Sequence, residues 1–257
     1  MDIKKITEEE IKEIIAKTGF DYDLIKKDYY ITILLYLLKD VKGIYFKGGT
    51  ALNKTLLNHS RISEDIDYTL ERPISEVRKE ITEKINRSGI FGIITKDKDV
   101  DGFTRLIVPY KEKEASGIIL IDLNERAKML TKPESKEIKH FYPGMPKFSV
   151  LCLSTEEMIA EKMAAAIQRN KPRDHYDLYR IIKNKNRINT DMVKKKCEET
   201  GNEFSVIRMF NRAKKLYKHW NEDLQPLLVE EVTFEEVMKT ISSYFGLKRE
   251  KEKLKDK

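Results

Sequence analysis

The chain has 257 residues, enough for one large domain or two small ones, and its 40% hydrophobic content can supply a core. Its 50 lysines and arginines against 43 aspartates and glutamates leave a net charge of +7, which leans toward phosphate-bearing partners and equally describes a lysine-rich solvated surface. Two cysteines without a C-x-x-C argue against a disulfide framework or a zinc site, and the absence of a signal-peptide layout or of a run near the roughly 18 apolar residues of a membrane span predicts a soluble, cytoplasmic protein with no membrane partner.

In chain order, Thr7 and Glu10 form a capping-box pattern ahead of Ile11, Ile14 and Ile15, predicting a helix over 8–17. Leu24, Tyr29, Ile33, Leu34 and Leu37 predict a mostly buried second helix ending near Lys39, in which Tyr29, Tyr30 and Tyr36 line core or groove. "GIYFKGG" reads as a strand running into a glycine turn and "ALNKTLLNH" as a short helix starting near Ala51. "DIDYTL" reads as a strand with Ile66, Tyr68 and Leu70 on one face and Asp65, Asp67 and Thr69 on the other. A helix through "ISEVRKEITEKINRSG" and strands at "FGIITKD", "FTRLIVPY" and "GIILIDLN" follow, then an irregular, proline-bearing connection to a last short strand before Leu151. From the Ser154–Glu157 capping-box pattern onward only helices are expected, at 155–169, 173–184, 190–200, 204–220 and 233–245. The fold class is therefore α+β: a first domain over 1–150 with a mixed sheet flanked by helices, a helical domain over 151–247 that closes a cleft, and a charged, flexible tail over 248–257.

Carboxylates at i and i+2 of a strand point the same way with Cα atoms roughly 6.5 Å apart, so Asp65 and Asp67 can reach one hard cation or a pair of them. D-x-D is short, and a solvent-facing strand edge carries two ordinary acids equally well. Asp122 adds weight, because Ile118 to Ile121 read as a strand covered on both faces, where a carboxylate must be paired or bound to a cation unless the strand end is already in solvent. Three such aspartates suit Mg²⁺ with substrate phosphate oxygens. Gly48 and Gly49 let the backbone approach phosphates, Thr50 offers a hydroxyl, and the following helix offers N–H groups; an ordinary turn with Thr50 as N-cap is the bland alternative.

The stretch "KGGTALNKTLLNHSRISEDIDYTL" resembles the signature of the AbiEii/AbiGii toxin nucleotidyltransferases, a branch of the DNA polymerase β-type superfamily, with G-G-[ST], a helix, and R-x-S-x-D-x-D matched by Arg61, Ser63, Glu64, Asp65 and Asp67. "STEEMIAEKMAAAIQRNKPRDHYDLYRI" is similar to the later motif of the same family through Glu161, Lys162, Arg169, Arg173, Asp174 and Asp177. The resemblance implies a nucleotidyltransferase fold and a metal-dependent enzyme: Asp65, Asp67 and Asp122 would bind two Mg²⁺ ions, with Mn²⁺ as a substitute. Lys47, Gly48, Gly49, Thr50, Arg61, Ser63, Lys162, Arg169 and Arg173 would hold the NTP, and Lys162 would contact its phosphate with Asp177 near it. It also implies transfer of a nucleoside monophosphate to an acceptor hydroxyl, RNA or a tRNA 3′ end, by the toxin of a toxin–antitoxin or phage-defence module with a cognate antitoxin. A protein acceptor and a non-catalytic nucleotide- or antitoxin-binding module are the alternatives.

From the residues alone, Lys162 and Arg169 at i and i+7 share a helix face and could aim at an anion or form a salt-bridged helix. Asp174 suits a helix first turn, and Arg173 and Asp177 could pair at i, i+4. Lys183, Lys185, Arg187, Lys194, Lys195 and Lys196 could line an RNA-binding face of the helical half.

Overall fold

The computed structural model describes residues 4–111, 116–169 and 171–247, so the charged tail expected over 248–257 lies outside the described residues. The chain divides into two compact units, Met1–Thr155 and Glu156–Lys257.

Among the described residues the first unit is built on seven strands: β1 (Ile44–Lys47), β2 (Asp65–Leu70), β3 (Thr95–Val100), β4 (Phe103–Lys111), β5 (Ser116–Asn124), β6 (Glu134–Glu137) and β7 (Ser149–Cys152). They form one mixed sheet in the order β3-β4-β5-β2-β1-β7-β6. β2 is central, parallel to β5 and antiparallel to β1. β7 pairs with β1 and β6, which is why the boundary between units falls beyond it.

Among the described residues four helices accompany the sheet: α1 (Glu8–Thr18), α2 (Tyr22–Leu38), α3 (Gly48–Thr55) and α4 (Ile74–Ser88). The capping box forms as its residues predict, with Glu10 N donating to Thr7 Oγ1 at 3.2 Å and Thr7 N donating to Glu10 Oε2 at 2.8 Å. Helix α2 is buried nearly all round, Tyr29 and Tyr30 included, and holds a charge in the core. Asp28 there pairs with Lys54 Nζ of α3 at 2.7 Å and accepts from the Tyr142 hydroxyl at 2.8 Å, while Lys54 also donates to Thr32 Oγ1 at 3.0 Å. A buried pair survives when its remaining polar valences are met in this way.

The edges of the sheet depart from the expected pattern. The strand expected at "FGIITKD" starts only at Thr95 and runs on into Lys96, Asp97, Lys98 and Asp99, fully exposed, while Phe91 makes an isolated bridge to Tyr110. A charged edge strand has no apolar alternation to reveal it and resists pairing with other chains. β6 lies inside the expected irregular connection for the same reason, its residues being Glu, Ser, Lys and Glu. β5 is not covered on both faces: Ile119 and Ile121 are buried, whereas Ile118 is exposed and Leu120 half-buried, so Asp122 stands on the more open face.

The second unit contains α5 from Glu156 onward (Thr155–Arg169 in full), α6 (Pro172–Lys183), α7 (Thr190–Glu199), α8 (Ala213–Asp223) and α9 (Phe234–Tyr244). The helix expected over 204–220 is broken into a 3-10 turn at Val206–Met209 and α8. The break is fastened by His175, whose Nε2 lies 3.0 Å from the Met209 carbonyl. Tyr179 of α6 donates to Glu236 of α9 at 2.5 Å. Lys196 does not join a basic surface: it is buried and salt-bridged to Glu157 at 2.7 Å, Glu161 at 3.2 Å and Glu199 at 3.5 Å, whereas Lys183, Lys185, Arg187, Lys194 and Lys195 are exposed.

Candidate active site

The alternation of β2 delivers its acids as the sequence predicts. Ile66 and Tyr68 are buried, and Asp65 and Asp67 on the other face are only half-buried. Thr69 shares the acids' face but is itself buried, so this face closes toward the end of the strand. Cross-strand partners point to the same side of a sheet. The register therefore sets Lys47 of β1, Asp67 of β2, Asp122 of β5 and Arg105 of β4 in one row. Asp65 stands one step along on the same face, beside Leu120 and, beyond it, Ile107.

Helix α3 begins at Gly48, not near Ala51, so the G-G-T stretch is its first turn and not a loop before it. Gly48 has a φ of +78°, and a Cβ there would stand 2.2 Å from Asp67 Oδ2. Only glycine leaves room for the carboxylate at the head of this helix, where the dipole favours negative charge. The N-cap residue, Lys47, places no side-chain hydrogen bond over the first turn.

The other residues of the signature build the turn that joins α3 to β2. Thr50 is buried; its hydroxyl donates to the Asp65 carbonyl and lies 2.9 Å from the Ser63 hydroxyl. That hydroxyl is therefore a tether to the strand. Arg61 is buried as well, donating to the Ile62 carbonyl at 2.9 Å. Asn53, which no motif singled out, binds the turn together: its Oδ1 accepts from Ser60 at 3.0 Å and from Arg61 N at 3.3 Å, and its Nδ2 donates to Gly49 O at 3.0 Å. Asn58 and His59 in this turn have φ of 51° and 52°. Glu64 pairs with Lys27 at 3.1 Å.

The three aspartates share a face without forming a cage. Among the described residues no group of three or more His, Cys, Asp or Glu side chains is gathered to hold a metal. Asp122 is engaged by Arg105, whose Nε and Nη2 each donate to one oxygen of its carboxylate at 2.7 Å, a fork that occupies both sides of it. Asp65 and Asp67 are hard oxygen donors of the kind Mg²⁺ takes, two residues apart on one face of β2. The residues present thus fit a divalent cation at Asp65 and Asp67, with Asp122 held by Arg105. No sequence pattern marked Arg105, because its significance lies in a register across three strands.

In the helical unit, Lys162, Arg169, Asp174 and Asp177 come together. Lys162 Nζ lies 2.9 Å from both Asp174 and Asp177, and Arg169 forks onto Asp174 at 2.7 and 2.9 Å. The shared anion of Lys162 and Arg169 is thus Asp174 of their own unit. Lys162 is 6% exposed and both carboxylates are buried. Burial alone would push the Asp174 carboxyl up, but Lys162 and Arg169 outweigh it and hold it well below the usual carboxylate range. Arg173 is half-buried in the first turn of α6.

Comparison with known proteins agrees with the fold. The solved structure of JHP933 from Helicobacter pylori is 20% identical at a TM-score of 0.60, covering 92% of this chain and 98% of that one. MenT4, a nucleotidyltransferase toxin from Mycobacterium tuberculosis, is 18% identical at a TM-score of 0.64, covering 93% and 99%. A putative nucleotidyltransferase from H. pylori is 21% identical at 0.62, covering 91% and 99%. No curated protein matches the sequence. The family described as nucleotidyl transferase AbiEii toxin, type IV toxin–antitoxin system, matches residues 36–240. That match takes in both the strand of Asp65 and Asp67 and the Lys162–Asp174–Asp177 cluster, and the chain belongs to the AbiEii family of nucleotidyltransferase toxins.

Proposed function

We propose that the protein transfers a nucleoside monophosphate from an NTP to the hydroxyl of an RNA acceptor, a tRNA 3′ end in particular, in a Mg²⁺-dependent reaction in the cytoplasm. The observation that carries this reading is the placement of Asp65 and Asp67 on one face of β2 with Asp67 against the first turn of α3. The first-turn N–H groups of α3 and the side chain of Lys47 favour a triphosphate at that end of the strand. The acceptor oxygen attacks the α-phosphorus, the bond to the β-phosphate breaks, pyrophosphate leaves, and a carboxylate oxygen of the aspartate pair takes the hydroxyl proton. A divalent cation at Asp65 and Asp67 would supply neutralisation of the phosphoryl oxygens. The net charge of +7 and the exposed Lys183, Lys185, Arg187, Lys194 and Lys195 support a nucleic acid as acceptor. As the toxin of a toxin–antitoxin pair, with phage defence as its setting, it would be restrained by a cognate antitoxin.

The test is incubation with each α-labelled NTP, Mg²⁺ and total tRNA. The expected result is label at RNA 3′ ends, lost in Asp65→Ala and Asp67→Ala with native circular dichroism. Full transfer by either variant, or label in protein and none in RNA, overturns the reading.

A further inference from the structure

Arg105 stands at the β4 end of the row that carries Asp67 and Asp122. Its guanidinium forks onto Asp122 at 2.7 Å, Nη1 is 3.9 Å from Asp97 of β3, and Asp65 adds a favourable electrostatic interaction. Its side chain is 27% exposed against 14% for Asp122, so the arginine is the partner with room to move. We propose that Arg105 is a resident counter-cation that keeps Asp122 out of the divalent-cation site until nucleotide phosphates draw the guanidinium away. The proposal rests on the reading of Asp65 and Asp67 as the cation-binding pair.

Three features support it. The register places Asp122 directly beside Asp67 on β2, on the same face as the pair. A guanidinium so close disfavours a second positive charge on the same carboxylate by direct repulsion. A phosphate presents the same two-oxygen edge that Arg105 now finds on Asp122, so an arriving triphosphate can take over the fork without loss of hydrogen bonds. The exchange breaks no covalent bond: the guanidinium passes from carboxylate to phosphate, and the carboxylate receives the cation that the phosphates bring. Asp97 offers the guanidinium a second anchor on the outer side while it moves.

The test is Mn²⁺ titration of the nucleotide-free protein followed by electron paramagnetic resonance, with calorimetric titration of inorganic tripolyphosphate in the presence of a chelator. Arg105→Ala, and Arg105→Gln as a variant that keeps a hydrogen bond to Asp122 without the charge, should bind Mn²⁺ on the order of tenfold more tightly, the scale on which one neighbouring unit charge shifts a charged group's equilibrium. Both should bind tripolyphosphate more weakly, and adding Asp122→Asn to Arg105→Ala should return Mn²⁺ affinity to the wild-type value. Equal or weaker Mn²⁺ binding in the natively folded Arg105 variants, or unchanged tripolyphosphate binding, overturns the proposal. Joint Asp65→Ala and Asp67→Ala substitution separates the two ideas: if it leaves wild-type Mn²⁺ binding intact, the reading of the pair fails, and if it abolishes binding while Arg105 variants behave as wild type, only the role of Arg105 fails.

Discussion

The Cα of Gly48 faces the carboxylate of Asp67 so closely that a single added methyl would stand 2.2 Å from Oδ2. A glycine that looks like a phosphate-loop residue is therefore first of all the seat of an acid. Gly48→Ala must move Asp67 and also adopt a φ of +78°, which costs a residue with a Cβ about 1–2 kcal/mol. Nucleotide transfer should fall by roughly a hundredfold, the cost of about 1 Å of misplacement in a reacting site. Steady-state kinetics and thermal denaturation of the variant measure the two effects separately.

Thr50 ties the head of α3 to the start of β2 through the Asp65 carbonyl. Thr50→Val keeps the shape and removes the hydroxyl, and should destabilise the protein by about 1–2 kcal/mol while lowering turnover; Thr50→Ser should restore both. Chemical denaturation with parallel transfer assays distinguishes this tether from a hydroxyl that acts on substrate, since in the latter case Thr50→Val would lose turnover at unchanged stability.

Lys162 supplies one ammonium to two buried carboxylates. Lys162→Met should destabilise the helical unit by about 3–5 kcal/mol, the usual cost of stripping a buried charge of its partner. Because the Asp174 carboxyl is held low in the folded protein, its contribution is complete above the ordinary aspartate value near 4 and is lost as pH falls below it toward the folded value. Asp174→Asn should remove that acid-sensitive part of the stability, read from denaturant midpoints between about pH 4 and 2.

His59 provides a separate titration in the first unit. Its Nε2 is buried without a hydrogen-bond partner among the described residues, and burial, reinforced by nearby Lys54, pushes its pKa down to about 4. The folded protein keeps the ring neutral where the unfolded chain protonates it, so stability is full above the ordinary histidine value near 6.5 and declines as pH falls toward about 4, by up to ~3 kcal/mol. His59→Asn, which tolerates the φ of 52°, should flatten the stability profile between those limits. An unchanged slope from pH 6.5 to 4 in that variant would show that another group is responsible.

Much of the architecture was legible because it rests on local rules. The capping box at Thr7 and Glu10, the alternation Asp65–Ile66–Asp67–Tyr68 and the proline at the start of α6 each follow from neighbours in sequence and appear where those neighbours place them. The bounds of β3 and the whole of β6 were not legible, since an edge strand without an apolar face carries no period to read. Lys196 illustrates the same limit for charge: three lysines in a row look like a surface, and only packing reveals that one of them is enclosed by three glutamates.

The sequence by itself marked the candidate residues: two aspartates on one strand face, a glycine turn ahead of a short helix, and basic and acidic residues on the later helices. The tertiary structure alone decided how these groups are disposed. It turned Thr50 and Arg61 into supports of the turn, drew Lys162 and Arg169 onto Asp174, and set Arg105 against Asp122 across a strand pairing. The physical reason is that hydrogen bonds and ion pairs act over about 3 Å, so the partner of a charge is chosen by register and packing between segments that the linear order keeps far apart.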